Sequence, residues 1–202
     1  MNKTSLAIAF CGAALGAVYF YYQTIPPRKD LDRFLTLTAE VEIGKTKLAD
    51  FSAIMKQEEL SQLAFPCRNT TCGYSLRVQN SMLSKLRLAP HTIALAEIDF
   101  DKGIASEIYI VMEVEGRDQS GLEFPEKSVV IRQTSEIGTS CPSSYKIGYQ
   151  RKTSSETIRA ATLTMDACVS KEDKLRALGI NTNCLSRIGG CKDVKLIQPR
   201  VF

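Results

Sequence analysis

The chain has 202 residues, 44% of them hydrophobic and 24% charged, enough for one sizeable core or two small ones. A net charge of +4, with basic residues standing singly and no aromatic interleaving, excludes nucleic acid as the main partner. One histidine and no tryptophan leave little room for His-dependent metal sites, and any catalytic triad would have to run through His91.

The first element is an uncharged apolar run, Ser5 to Tyr22. As a helix it spans roughly 27 Å at about 1.5 Å per residue, close to a hydrocarbon core of about 30 Å. Tyr19, Tyr21 and Tyr22 crowd its far end, as an interfacial aromatic belt does. The expectation is a transmembrane signal anchor over residues 1–22, left uncleaved; the alternative is a signal peptide cut after Gly16. Lipid attachment at Cys11 fails, because Phe10 stands where a small residue is required. Gly12 and Gly16 form a GxxxG pair that lets two such helices approach, so a homodimer through the anchor is open. Counting positive charges, Lys3 before the run against Arg28, Lys29 and Arg33 after it, argues for a cytoplasmic C-terminal part. The cysteines argue the other way and carry more weight.

Residues 23–33 read as a short stalk, with Pro26-Pro27 stopping the helix. Residues 35–43 alternate, Leu35, Leu37, Ala39, Val41 and Ile43 on one face, and predict a half-buried strand. Gly44 ends it, Thr46 caps a following helix, and Leu48, Phe51, Ile54 and Met55 recur at helical spacing through about Leu63. Tyr74, Leu76 and Val78 suggest a strand. Residues 92–101 and 106–115 flank a Lys102-Gly103 turn and predict a hairpin, with Ile108, Ile110, Met112 and Val114 on one face. Residues 116–127 are polar and turn-rich, a candidate linker between lobes at 34–115 and 128–202, although 34–202 also reads as one domain. Strands at 129–134, 145–149 and 158–165 follow, then a helix at 171–178 and an irregular end. The fold class is α+β: an N-terminal anchor helix, then a disulfide-stapled, mainly antiparallel sheet with one or two packed helices.

Seven cysteines divide into Cys11 within the apolar run and six beyond it: Cys67, Cys72, Cys141, Cys168, Cys184 and Cys191. An even number after a signal-like segment reads as a disulfide framework in an oxidising compartment. Local pairing, Cys67–Cys72, Cys141–Cys168 and Cys184–Cys191, is favoured among the 15 connectivities six cysteines allow. Neither near pair has CxxC spacing and the histidine is remote, which argues against zinc and against a redox pair.

Strings that could carry chemistry are few. Residues 39–46 fit a loosened phosphate loop, but Glu40 and Glu42 would repel phosphate. Ser143-x-x-Lys146 lacks the companion motifs of serine acyltransferases. Asn69-Thr-Thr71 has the pattern of a glycosylation acceptor. Glu97, Asp99 and Asp101, two apart before Gly103, would share one face of a strand and could form an acidic metal or acid/base face, the basis of an alternative reading as a small hydrolase or metal-dependent enzyme. No catalytic constellation and no cofactor is assigned.

Val41-Glu-Ile43-Gly44-Lys-Thr46, followed by the helix from Leu48 and a later hairpin, resembles the SmpA/OmlA family of small envelope lipoproteins of the outer-membrane barrel-assembly machinery, over about residues 41–115. The resemblance implies an envelope binding module and transfers no functional residue. The expected protein is a membrane-anchored extracytoplasmic, periplasmic binding or scaffold protein with a protein partner in the envelope.

Overall fold

The computed structural model describes residues 3–58, 60, 63–117, 123–134, 146–151, 158–191 and 193–201. Within α1 (Lys3–Glu40), side chains are described at 14, 16 and from 18 onward. Then follow α2 (Leu48–Glu58), β1 (Leu63–Ala64), β2 (Cys67–Arg68), β3 (Thr71–Gln79) and α3 (Ser81–Lys85). Next come β4 (Thr92–Asp101), β5 (Ile104–Arg117), β6 (Glu123–Thr134), β7 (Lys146–Arg151) and β8 (Ile158–Met165). The chain closes with α4 (Lys171–Ala177), a 3₁₀ turn at Thr182–Leu185 and α5 (Val194–Ile197). This is a mixed α+β fold with a mainly antiparallel sheet, in the order β1-β3-β4-β5-β6-β8-β7 with β2 attached to β3; β6 and β8 pair in parallel.

The predicted hairpin stands. β4 and β5 are joined by Lys102 and Gly103, both at positive φ (49° and 80°), the backbone a two-residue hairpin turn requires. Strand alternation then sorts the side chains. Ala96, Ile98 and Phe100 of β4, and Ile108, Ile110, Met112 and Val114 of β5, point to a buried face. Tyr74, Leu76 and Val78 of β3, Val129 and Ile131 of β6, and Ala161, Leu163 and Met165 of β8 extend it. The described helices cover this face; Phe51 of α2 sits 5.7 Å from the Phe100 ring.

The largest departure from the sequence reading lies in residues 23–43. No stalk and no strand form there: α1 runs unbroken through Pro26 and Pro27 to Glu40. Burial along 31–40 has helical period, with Leu31, Phe34, Leu35, Thr38 and Ala39 inside and Asp32, Arg33 and Thr36 outside. Alternation survives only in Val41, Glu42 and Ile43. An interior proline costs a helix roughly 3 kcal/mol. The carbonyls these two leave without a donor are those of the exposed Tyr22 and Gln23, where water can reach. Burying Leu31, Phe34 and Leu35 returns roughly 1.5–3 kcal/mol apiece, enough to offset both prolines.

Thr46 does not cap α2. Its hydroxyl accepts from the Glu42 amide at 2.8 Å and closes the turn after α1. α2 ends at Glu58, short of the predicted Leu63, and Ile54 of its supposed apolar face is 45% exposed. Residues 116–127 are not a free linker over their described part: Glu115 pairs with Pro125, Gly116 with Phe124 and Arg117 with Glu123. Strands from both sides of it join one sheet, and residues from 31 to 197 share one buried cluster.

Among the described residues no helix is long and apolar enough to cross a membrane. Most side chains of the apolar run 5–22 lie outside what is described, and so do the surroundings of Gly12; Gly16 is exposed, with open space around it.

The α1 stripe yields a prediction. On the strand reading Phe34 would face away from Leu35, whereas on the helix both are buried. Phe34→Ala should therefore lower unfolding free energy by about 3–5 kcal/mol in denaturant titration, and Thr36→Ala on the opposite face by less than about 0.5.

Candidate functional site

The acidic face forms only in part. Glu97 and Asp99 point outward from β4, on the side opposite the helices. Glu97 accepts from the Ser75 hydroxyl at 2.9 Å. Asp99 lies directly over Gly73 of β3, where any Cβ would collide with its carboxylate, so the glycine makes room for the acid. Burial pushes the Asp99 carboxyl above its ordinary value, and the neighbouring Glu97 and Glu107 add to the shift. Glu107 is itself held by Arg132 at 2.6 Å. Asp101 does not join: it sits exposed at the strand end and accepts from Thr70 at 3.0 Å. Among the described residues no group of three or more His, Cys, Asp or Glu is placed to hold a metal ion.

Other sequence candidates are dispersed. His91, just before β4, faces Glu115 of β5 with Nδ1 2.6 Å from Oε2, both largely buried, so it is engaged with a carboxylate at the strand ends. Lys146 opens β7, while Ser143 lies outside the described residues. Asn69 occupies the tight β2–β3 turn at φ 54°. Residues 39–46 form a helix end and a turn, not a loop around an anion site.

Cys67 and Cys72 are disulfide-bonded to each other and lie opposite one another on β2 and β3. Cys184 and Cys191 are bonded likewise and fully buried. Cys168 is disulfide-bonded as well; its predicted partner Cys141 lies outside the described residues.

One residue of chemical interest escaped the sequence reading. Lys174 of α4 is buried, with 4% of its surface exposed, and its ammonium donates to the Val41 carbonyl just beyond α1. Burial lowers its pKa to about 8, while Glu42 and Glu40 pull it back up. It lines a cleft of about 310 Å³ with Val41, Gln133 and Val169; Lys171–Glu40 (2.7 Å) and Lys45–Glu42 (2.8 Å) bridge carboxylates at the rim. Gln133, also buried, donates to the Asp166 carbonyl at 2.9 Å, and its Oε1 has no partner among the described residues. A mainly protonated amine committed to a backbone carbonyl is a poor nucleophile at neutral pH. It is a good clamp, because a cation at a helix C-terminus meets the negative end of the dipole. Nothing in the sequence flagged it: Lys174 stands within a charged helix, Lys171-Glu-Asp-Lys174, and only the return of α1 over α4 buries it.

A second cleft, of about 430 Å³, separates α1 from the C-terminal segment and is lined by Arg28, Asp32, Thr182, Asn183 and Arg200 among others. Arg28 donates to Asn183 Oδ1 at 2.8 Å and to Ser186 Oγ at 3.2 Å, and Thr182 donates to Asp32 Oδ1 at 2.7 Å. These bonds tie the stapled segment to the helix.

Comparisons with models of protein families, with curated proteins and with solved structures find no match to this chain.

Two pH tests follow. The folded pKa of Lys174 lies below its ordinary 10.5, so the unfolded chain binds the extra proton between about pH 8 and 10.5 and stability rises with pH across that window. Relative to Lys174→Met, the natural chain should gain up to roughly 3 kcal/mol from pH 7 to pH 10.5 in denaturant titrations. Asp99 has the opposite sign. Its raised carboxyl makes ionisation unfavourable in the fold, so Asp99→Asn should raise the melting temperature at pH 7, and the gain should vanish well below 3.8, where both states are protonated.

Proposed function

We propose that this is a membrane-anchored, extracytoplasmic binding or scaffold protein of an envelope complex, held in the bilayer by residues 5–22. One observation carries the reading. The apolar run and the core share a single helix, α1, whose second half is buried through Leu31, Phe34, Leu35 and Ala39. In the stretch just before, Val18, Tyr19, Tyr21 and Tyr22 are all more than half exposed. An exposed apolar and tyrosine-rich helix continuous with a packed one needs a non-aqueous partner for its first half, and a bilayer supplies it, with tyrosines at the headgroup level. The disulfides support an oxidising compartment. The resemblance of residues 41–115 to the SmpA/OmlA family favours the envelope and a protein partner.

A reporter enzyme that is active only outside the cytosol, fused after Phe202, should be active in intact cells. Activity only of a cytosol-dependent reporter would overturn the proposal. Thiol alkylation gives a second outcome: Cys67, Cys72, Cys168, Cys184 and Cys191 should resist reagent before reduction and react after it. Replacing both Cys184 and Cys191 by Ser opens the short staple and should cost about 2–3 kcal/mol in denaturant titration.

A further inference from the structure

We propose that the end of the domain from which α1 emerges is itself a membrane contact. Leu86, Leu88 and Ile188 enter the headgroup region there, and Lys85, Arg87 and Arg187 bind anionic lipid. The inference rests on the anchored reading and adds a second, independent bilayer contact to it.

The location comes from α1. Going back along the helix from its buried half, Arg28 touches Asn183 and Ser186, and Pro27 and Gln23 line a cleft with Gln79, Ser81 and Met82. Gln23 directly follows the exposed Tyr22, so α3 and the stapled loop 185–190 stand where the helix leaves the domain. Arg28 lies about 9 Å beyond Tyr22 at about 1.5 Å per residue.

Two loops meet at that end. The Gly189 amide donates to the Leu88 carbonyl at 2.7 Å, and a Cβ at Gly190, itself at φ 59°, would stand 3.1 Å from the Pro90 ring. Cys184–Cys191 closes the second loop and Arg28 ties it to α1. The joined loops turn three large apolar side chains outward: Leu86 is 55% exposed, Leu88 41% and Ile188 67%. Three exposed apolar side chains on two hydrogen-bonded loops, one of them stapled, make the kind of apolar surface that marks a contact site.

Within the two loops themselves the charge has one sign, and the nearest acid across the strands, Glu115, is paired with His91 at 2.6 Å. Residues 80–90 contain Lys85 and Arg87 and no acid; residues 184–191 contain Arg187 and no acid. All three cations are exposed. Apolar side chains fringed by Lys and Arg match the interfacial zone of an anionic bilayer.

Arg87 adds a backbone argument. It sits at φ 57° as the left-handed residue ending α3, with its amide donating to Ser84 O and that of Leu88 to Leu83 O, both at 2.9 Å. Glycine is the favoured residue at this position, and a side chain there costs roughly 1 kcal/mol. An arginine therefore stands at a position whose backbone favours glycine.

The absence of tryptophan makes the test clean. Full-length chain carrying Ile188→Trp, and separately Val18→Trp, is reconstituted into vesicles of phosphatidylcholine with and without phosphatidylglycerol, using lipids brominated near the headgroup. The Ile188→Trp emission should shift to the blue and lose intensity, more strongly with the anionic lipid. Lys85→Gln, Arg87→Gly or Arg187→Gln should lower the docked-to-undocked ratio read from that quenching about fivefold per charge removed. Arg87→Gly should do so with an equal or higher melting temperature. Quenching of Val18→Trp but not of Ile188→Trp overturns this proposal and leaves the anchor standing. Quenching of Ile188→Trp alone supports the contact and overturns the anchor. Quenching of neither overturns both. An Ile188→Trp signal that is quenched equally in neutral vesicles overturns the lipid charge preference and with it the roles of the three cations.

Discussion

Leu31, Phe34, Leu35 and Ala39 form the stripe by which α1 closes the inner face of the sheet. Without it, Leu76, Ala96 and Ile98 would lie open to water, and the arms that reach α1 would lose their partner. Lys174 holds the carbonyl just past its C-terminus, Lys171 pairs with Glu40, and Thr182 and Arg28 tie the C-terminal segment to its flank. The stripe also decides the shape of what precedes it. A helix already committed at residues 31–39 propagates backward through Pro26 and Pro27 at a cost that the buried side chains offset, because extension adds a hydrogen bond for each residue fixed whereas starting a new helix does not.

The consequence is mechanical. A flexible stalk would let the domain tumble relative to the apolar run 5–22. A continuous helix fixes its orientation, so the same side of the domain always faces the same way. The two described disulfides sit at the two ends of this axis. Cys184–Cys191 shapes the loop where α1 leaves, and Cys67–Cys72 closes the far end of β3. Both loops are short, so each staple fixes a tight turn as well as stabilising the fold.

The sheet was readable because its signals are local. Residues 92–101 alternate strictly before a turn that needs positive φ, Ile108, Ile110, Met112 and Val114 keep one face of the second arm buried, and β8 alternates from Ala161 to Met165. The near cysteine pairs were readable because short spacing leaves few geometries. Residues 35–43 misled because Leu35 and Ala39 satisfy both a period of two and a spacing of four. Of the deciding residues, Leu31 lies inside the stalk of residues 23–33 that the prolines mark, and Phe34 lies just before the alternating run. Lys174 was invisible for a different reason: its hydrogen-bond partner is the Val41 carbonyl, 133 positions away in the chain. The acidic triplet was half legible, since strand alternation brings Glu97 and Asp99 together while the strand end sends Asp101 elsewhere. The room for Asp99 comes from Gly73 on another strand.

Hydrogen exchange along α1 tests the continuity of the helix, and with it the proposed coupling of apolar run and core, most directly. With the full chain in lipid nanodiscs, amides from the apolar run through Glu40 should exchange slowly as one block, the stretch 23–33 included apart from the two prolines. Fast exchange confined to 23–33, between two protected flanks, would mean a flexible tether and would contradict the account.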